Sequence, residues 1–102
     1  MTIAEDHHKD RVARTGCVIC RRLCGYYVPG QVHHIAEGSS ERSNYAVADL
    51  CPEHHTGATG FHTMGRGFFM LFKFIPWGNE YGLLVLQNED LALMDCGRLD
   101  VS

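Results

Sequence analysis

Cys17 and Cys20 are separated by two residues, and so are Cys51 and His54. A short turn joining two soft or borderline ligands lets each pair wrap one side of a tetrahedral zinc ion without strain, so together they compose a closed Cys3His site. The spacing therefore predicts a structural zinc. That assignment leaves His33, His34, His55 and His62 without a task, and the stretch LCPEHHTGATGFH sets two of them directly downstream of the second pair. Four spare histidines exceed what packing in a small domain requires, and a second metal centre is the economical reading. Neighbouring side chains on a strand point to opposite faces, so one histidine of the VHHI pair can bind metal while the other faces away or leans towards a substrate. Cys24 reads as a small buried or unpaired thiol, the alternative being that it replaces a named ligand, and Cys96 reads as unpaired. His7 and His8 are expected to be solvated or lightly packed on a first helix.

The rest of the composition supports metal as the staple. A chain of 102 residues forms one small domain, and such a domain buries only roughly 60–70% of its unfolded surface, so its core needs help. No apolar run follows the opening MTIAEDHHKD and no stretch of about 18 uninterrupted apolar residues occurs, which predicts a cytoplasmic protein with neither signal peptide nor membrane span. In a reducing compartment five cysteines, an odd number, are better explained by metal than by disulfides. The net charge of −3 argues against a generically basic nucleic-acid binder, but it is unevenly placed. Residues 1–75 carry eight basic against seven acidic side chains, whereas residues 76–102 carry Arg98 alone against five acids.

The elements that must position these ligands can be read from local signals. IAEDHHKDRVAR has early acids, late arginines and Gly16 as a stop, a short first helix. CVICRRLC reads as a turn that returns on itself. QVHHI, with β-branched residues around the histidines, reads as a strand; AEGSSERSN is a polar loop, and YAVADL is a second strand. Pro52 is placed to start a helix. Glycines 57, 60, 65 and 67 predict two short pieces rather than one long helix, since each costs about 1 kcal/mol in a helix interior. FFMLFKFI must end near Pro76, and Asn79 can cap a last helix through EYGLLVLQNEDLALM, with a break near Asn88. Phe68, Phe69, Phe72, Phe74, Trp77 and Tyr81 are expected in the core, with enough aromatic density for a homodimer surface. Arg21, Arg22, Arg42 and Arg66 are the nearest candidates for gripping a phosphate backbone, against the alternative of solvated surface charges.

QVHHI, the loop carrying Asn44, ADLCPEHH and GFH resemble an HNH nuclease. More narrowly, AEDHHKDRVARTGCVICR, VHHI, ERSNYAVADLCPEHHTG, GFHTMGRGFF and NEDLALM resemble, in order, the phage-encoded recombination-enhancement-function type of HNH nuclease, over roughly residues 4–95. The resemblance implies an α+β, zinc-stapled ββα-metal (His-Me finger) fold, with a core at about 15–66, an N-terminal helix at about 3–15 and C-terminal helices at about 67–96. It implies His33 as the strand metal ligand, His34 as general base, Asn44 as the residue that steadies the base, and His55 and His62 completing the active-site ion, which is Mg2+, Mn2+ or Zn2+. It implies a DNA endonuclease leaving 5′-phosphate and 3′-hydroxyl ends, with DNA and a RecA filament as partners in a bacterial host. GRGFFMLF departs from the family, which tends to carry a charged helix with an acid after the aromatic. The competing reading is a non-catalytic, zinc-stapled DNA-binding or adaptor protein that uses the same ligands for stability alone.

Overall fold

Two antiparallel strands carry the histidine pair and lead straight into the ligand-bearing helix. The computed structural model describes residues 1–37 and 41–101; the middle of the polar loop, Gly38–Ser40, and Ser102 lie outside the described residues. Strand β1 (Gln31–His34) pairs with β2 (Val47–Leu50), with His33 opposite Ala48 and His34 opposite Val47. Alternation along β1 separates the histidines as a pleated strand must. His33 is buried with Ala48 and Leu50 on the side of the main core, while Val32 packs with Val47 in a smaller cluster that includes Val12 and Leu91.

Helix α1 (Ile3–Thr15) begins with a capping box in which the Thr2 side chain accepts from Glu5 N–H and Glu5 accepts from Thr2 N–H. Such reciprocal capping satisfies two donors that the helix itself cannot. CVICRRLC departs from the expected turn and forms helix α2 (Val18–Cys24). Its first turn is the ligand-bearing one: Cys17 is the N-cap, its sulfur accepting from Cys20 N–H at 3.5 Å, and Gly25 ends the helix at φ 82°. A CxxC knuckle and a helical first turn share one geometry, which is why composition alone could not separate them.

Downstream, α3 (Pro52–His55) starts on Cys51 with Pro52 in its first turn, and the glycine-rich stretch folds as two short helices, α4 (Phe61–Met64) and α5 (Arg66–Leu71). Pro76–Gly78 form a 3-10 turn before α6 (Glu80–Asp95), whose N-terminus is capped by Asn79 accepting from Tyr81 and Gly82 N–H. The break expected near Asn88 is absent, because Asn88 is exposed and its side chain faces solvent rather than competing for the helix backbone.

Cys17, Val18, Ile19, Cys20, Ala48, Leu50, Cys51, Phe68, Phe72, Leu83 and Leu86 form the main core. Of the aromatics expected there, only Phe68 and Phe72 are buried; Phe69 is half-buried, and Phe74, Trp77 and Tyr81 are exposed. The last three lie in the turns after α5 and the first turn of α6, where the chain runs over the surface. Polar pins complete the assembly: Gln87 on α6 donates to Thr15 Oγ1 at 2.8 Å and accepts from Asp49 N–H at 2.8 Å, joining α1, β2 and α6.

Candidate metal centres and active site

The first cluster assembles at the junction of α2 with the start of α3. Cys51 Sγ lies 3.1 Å from His54 Nδ1, Cys20 Sγ 3.5 Å and Cys17 Sγ 3.7 Å, and the Cys20 and Cys51 sulfurs are 3.7 Å apart. Zinc bonds of about 2.3 Å to sulfur and about 2.0 Å to nitrogen give tetrahedral edges of roughly 3.5–3.8 Å, so these side chains already stand near the corners such an ion needs. All four are buried. Burial pushes the Cys17 and Cys20 thiols up, a cost that a cation among them would reverse by holding them as thiolates. The donor set could therefore bind a structural zinc. Cys24 and Cys96 are exposed and stand outside the cluster.

The second cluster is His33, His55 and His62, each offering a ring nitrogen within 4.8 Å of the others. His33 comes from β1, His55 from the end of α3 and His62 from α4. His55 and His62 face each other with their Nε2 atoms 3.1 Å apart, and Gln31 lies 2.9 Å from His55 Nδ1 through its side-chain oxygen. Gly60 makes this approach possible: a methyl there would meet the His55 carbonyl carbon at 2.7 Å. Burial first, then the neighbouring His62, lowers His33 from 6.5 to about 4, and burial also lowers His55. Both imidazoles are thus held in the neutral form that ligates cations. His33 is buried, His55 half-buried and His62 exposed, so the group opens on one side into a cleft of about 280 Å³. Three protein donors with an open flank fit an exchangeable or catalytic ion better than a closed structural one.

Two acids that the sequence reading passed over complete the surroundings. Glu80, the first residue of α6, lies with Oε2 2.7 Å from His33 Nε2 and is itself buried, which raises its carboxyl. A carboxylate so placed either accepts the second ring proton of a ligating histidine or joins the ion directly. The second is Glu5. His34 Nε2 lies 2.9 Å from Asn44 Oδ1, and Asn44 Nδ2 donates to Glu5 Oε2 at 2.9 Å. Glu5 is held down to about 2 by the Thr2 backbone hydrogen bond and then by Asn44, so it is ionised and can only accept. The amide must turn its NH2 to Glu5 and its oxygen to His34, which makes His34 Nε2 the donor and leaves the Nδ1 lone pair free. No local signal marks either contact, because each joins residues across a long sequence separation.

The arginines divide. Arg42 lines the histidine cleft, and Arg66 lines an adjoining one; among the described residues Arg66 has no ion-pair partner. Arg21 is buried, donating to Thr15 O and pairing with Asp100, and Arg22 pairs with Asp90 at 2.8 Å and Glu89 at 3.2 Å. These two are committed to the acidic C-terminal segment rather than to the histidine cleft. His8 packs against Tyr45 with centroids 5.6 Å apart, and His7 is exposed.

Compared with known proteins, residues 1–99 match a family described as recombination enhancement, RecA-dependent nuclease. No curated protein and no solved structure matches the chain.

Proposed function

Because the chain belongs to the recombination-enhancement, RecA-dependent nuclease family, we propose that it is a metal-dependent DNA endonuclease of the HNH type, acting in recombination alongside RecA filaments. The observation that carries this reading is the division of an adjacent pair: His33 joins His55 and His62 within 4.8 Å, while His34 is held apart by Asn44 at 2.9 Å. A purely structural second site would use His33 in the same way but would give no reason to pin His34 with a free lone pair.

In this reading His33, His55 and His62 hold a divalent ion, and Cys17, Cys20, Cys51 and His54 hold a structural zinc. A histidine ligates through a neutral ring, so a Mg2+, Mn2+ or Zn2+ held there would keep its full charge and would supply stabilisation for the charge that develops at the phosphate. His34 Nδ1 accepts a proton from the attacking water, while Nε2–H stays anchored on Asn44. Attack at phosphorus breaks the bond to the 3′ oxygen, which takes a proton from solvent, leaving a 5′-phosphate and a 3′-hydroxyl. Arg42, at the cleft, meets the phosphate charge, and Arg66 continues the basic surface beyond it.

Plasmid nicking with and without added Mg2+ or Mn2+, repeated beside RecA filaments on single-stranded DNA, tests the proposal. Metal content is measured in parallel. His34→Ala is expected to keep both metals and lose cleavage by roughly 100-fold or more, as removal of a general base does. His33→Ala is expected to lose the second ion together with activity. Should wild type cut no DNA with any divalent ion, even beside RecA, the non-catalytic adaptor replaces the nuclease.

A further inference from the structure

Next to the histidine centre lies a larger cleft of about 700 Å³, bordered by Trp77, Phe69, Met70, Phe61 and Arg66. Trp77 is unusual twice over. It is 75% exposed, and at φ 62° it is the one non-glycine residue among those described with a left-handed backbone. A bulky side chain is disfavoured there, and glycine would sit at that position more easily. The surrounding turn enforces the conformation from both sides. Asn79 caps α6 immediately afterwards, and Gly82 packs so closely that a methyl on it would collide with the Pro76 carbonyl oxygen.

The cleft is continuous with the histidine centre through one ring. Phe61 borders both, with its centroid 5.0 Å from that of His33 and 5.3 Å from that of His62. Its charge also suits a polyanion. Arg66 is exposed and has no ion-pair or hydrogen-bond partner among the described residues, whereas Glu37, the acid at the rim, is engaged through its carboxylate with the Glu80 N–H. An exposed indole, a half-buried phenyl ring and an unpaired guanidinium are the equipment with which single-stranded nucleic acid is held without sequence readout. Bases stack on the rings, and the cation meets the backbone or a ring face.

We propose that this cleft is a nucleobase subsite, in which an unstacked base stacks on Trp77 while the phosphodiester of the same strand occupies the histidine centre. This rests on the nuclease reading for the neighbouring centre and adds to it a preference for DNA whose bases are free to leave the duplex. The backbone energy held at Trp77 is then the cost of presenting the indole to that base.

Trp77 is the sole tryptophan of the chain, so its fluorescence reports on this cleft alone. The zinc-loaded His34→Ala protein is titrated with a short single-stranded oligonucleotide and with one of equal length made of abasic residues. Saturable quenching by the first, with the abasic strand binding about ten-fold more weakly and leaving the emission unmoved, is expected from loss of one stacked base. Trp77→Gly removes the ring at a position whose backbone glycine prefers, so the variant folds. It should bind both strands with the weaker affinity and retain wild-type metal content. Equal affinity of the His34→Ala protein for both strands with unmoved emission, when the wild type nicks DNA, overturns the subsite and leaves the nuclease standing. Emission that follows protein concentration, with a dimer that Trp77→Gly converts to monomer at unchanged DNA affinity, assigns the cleft to a second copy of the chain and equally overturns it. Binding is read without cleavage, so base-dependent quenching of the His34→Ala protein, when the wild type cuts no DNA, keeps the subsite and removes the nuclease.

Discussion

Replacing Asn44 by alanine takes away the acceptor that holds His34 Nε2–H, and with it the distinction between the two ring nitrogens. In the proposed reaction the free Nδ1 is the atom that receives the water proton. A ring released from Asn44 spends part of its time in the other tautomer and in other rotamers. Asn44→Ala is therefore expected to slow nicking on the order of 10–100-fold, less than deletion of the base itself, with metal content unchanged. Glu5→Ala tests the same orientation from one bond farther out. It frees the Asn44 amide to flip, and it also removes half of the α1 capping box, at a cost of about 1 kcal/mol. A slower Glu5→Ala enzyme whose melting point is restored by Glu5→Gln, but whose rate is not, would separate orientation from capping; full recovery of both would assign Glu5 to the helix alone.

At the scale of elements, the junction between α3 and α4 decides whether the second group of histidines exists. Gly60→Ala forces a methyl against the His55 carbonyl carbon, which the short helices can relieve only by moving apart. The expected outcome is loss of the second ion with retention of the first, because the nearest atoms the methyl would meet belong to His55 and Thr56 and none to Cys17, Cys20, Cys51 or His54; metal analysis of the purified variant checks it. β2 carries a different tension. Asp49 is fully buried, neither carboxylate oxygen has a hydrogen-bond partner among the described residues, and burial raises it from 3.8 to about 7. Across that window the folded chain keeps a proton that the unfolded chain releases, so this group's contribution to stability falls as pH rises and the loss is complete above about pH 7. Asp49→Asn removes the ionisable group. At about pH 8 the variant should melt higher than wild type, by up to a few kcal/mol, with little difference at about pH 4. Identical pH profiles for the two proteins would show that Asp49 titrates alike in the folded and unfolded chain, so that burial does not shift it.

For the molecule as a whole, the four ligands at the α2 and α3 junction join the segment before β1 to the segment after β2. Zinc sites of this kind supply apparent free energies on the order of 10 kcal/mol, more than a core of this size commands by itself. A strong chelator should accordingly abolish the cooperative melt followed by circular dichroism; a zinc-free protein that still melts cooperatively would make the site dispensable. Charge is the other global property. The chain is net negative, −3, with the acids concentrated after residue 75, and Arg21 and Arg22 spend their charge on Asp100, Asp90 and Glu89. DNA affinity then falls to few free cations. Removing Arg42 or Arg66 should each reduce the slope of log affinity against log salt by about 1. A slope unmoved in both variants would place the DNA elsewhere. Among the described residues no helix is long and apolar enough to cross a membrane.

What the sequence by itself determined was local. Chelating pairs two residues apart, a proline after Cys51, a capping asparagine at 79 and strand alternation through VHHI are short-range signals, and each is read from neighbours along the chain. They account for the strands, for the ends of the first and last helices, and for the grouping of Cys17, Cys20, Cys51 and His54. The helix at CVICRRLC is a local feature that stayed ambiguous, because its first turn has the same geometry as the ligand knuckle. Beyond the metal-ligand groupings, which residue type and spacing give away, what depends on distant segments meeting was decided by tertiary structure. Glu80 lies 47 residues from His33 and Glu5 39 residues from Asn44, separations at which no periodicity or spacing carries information about contact. The fates of the arginines and aromatics follow the same rule. Whether a guanidinium is free or saturated, and whether a ring is core or surface, depends on which chain packs against it, and in a protein this small one turn, the Trp77 turn, is enough to carry an aromatic from the core to the surface.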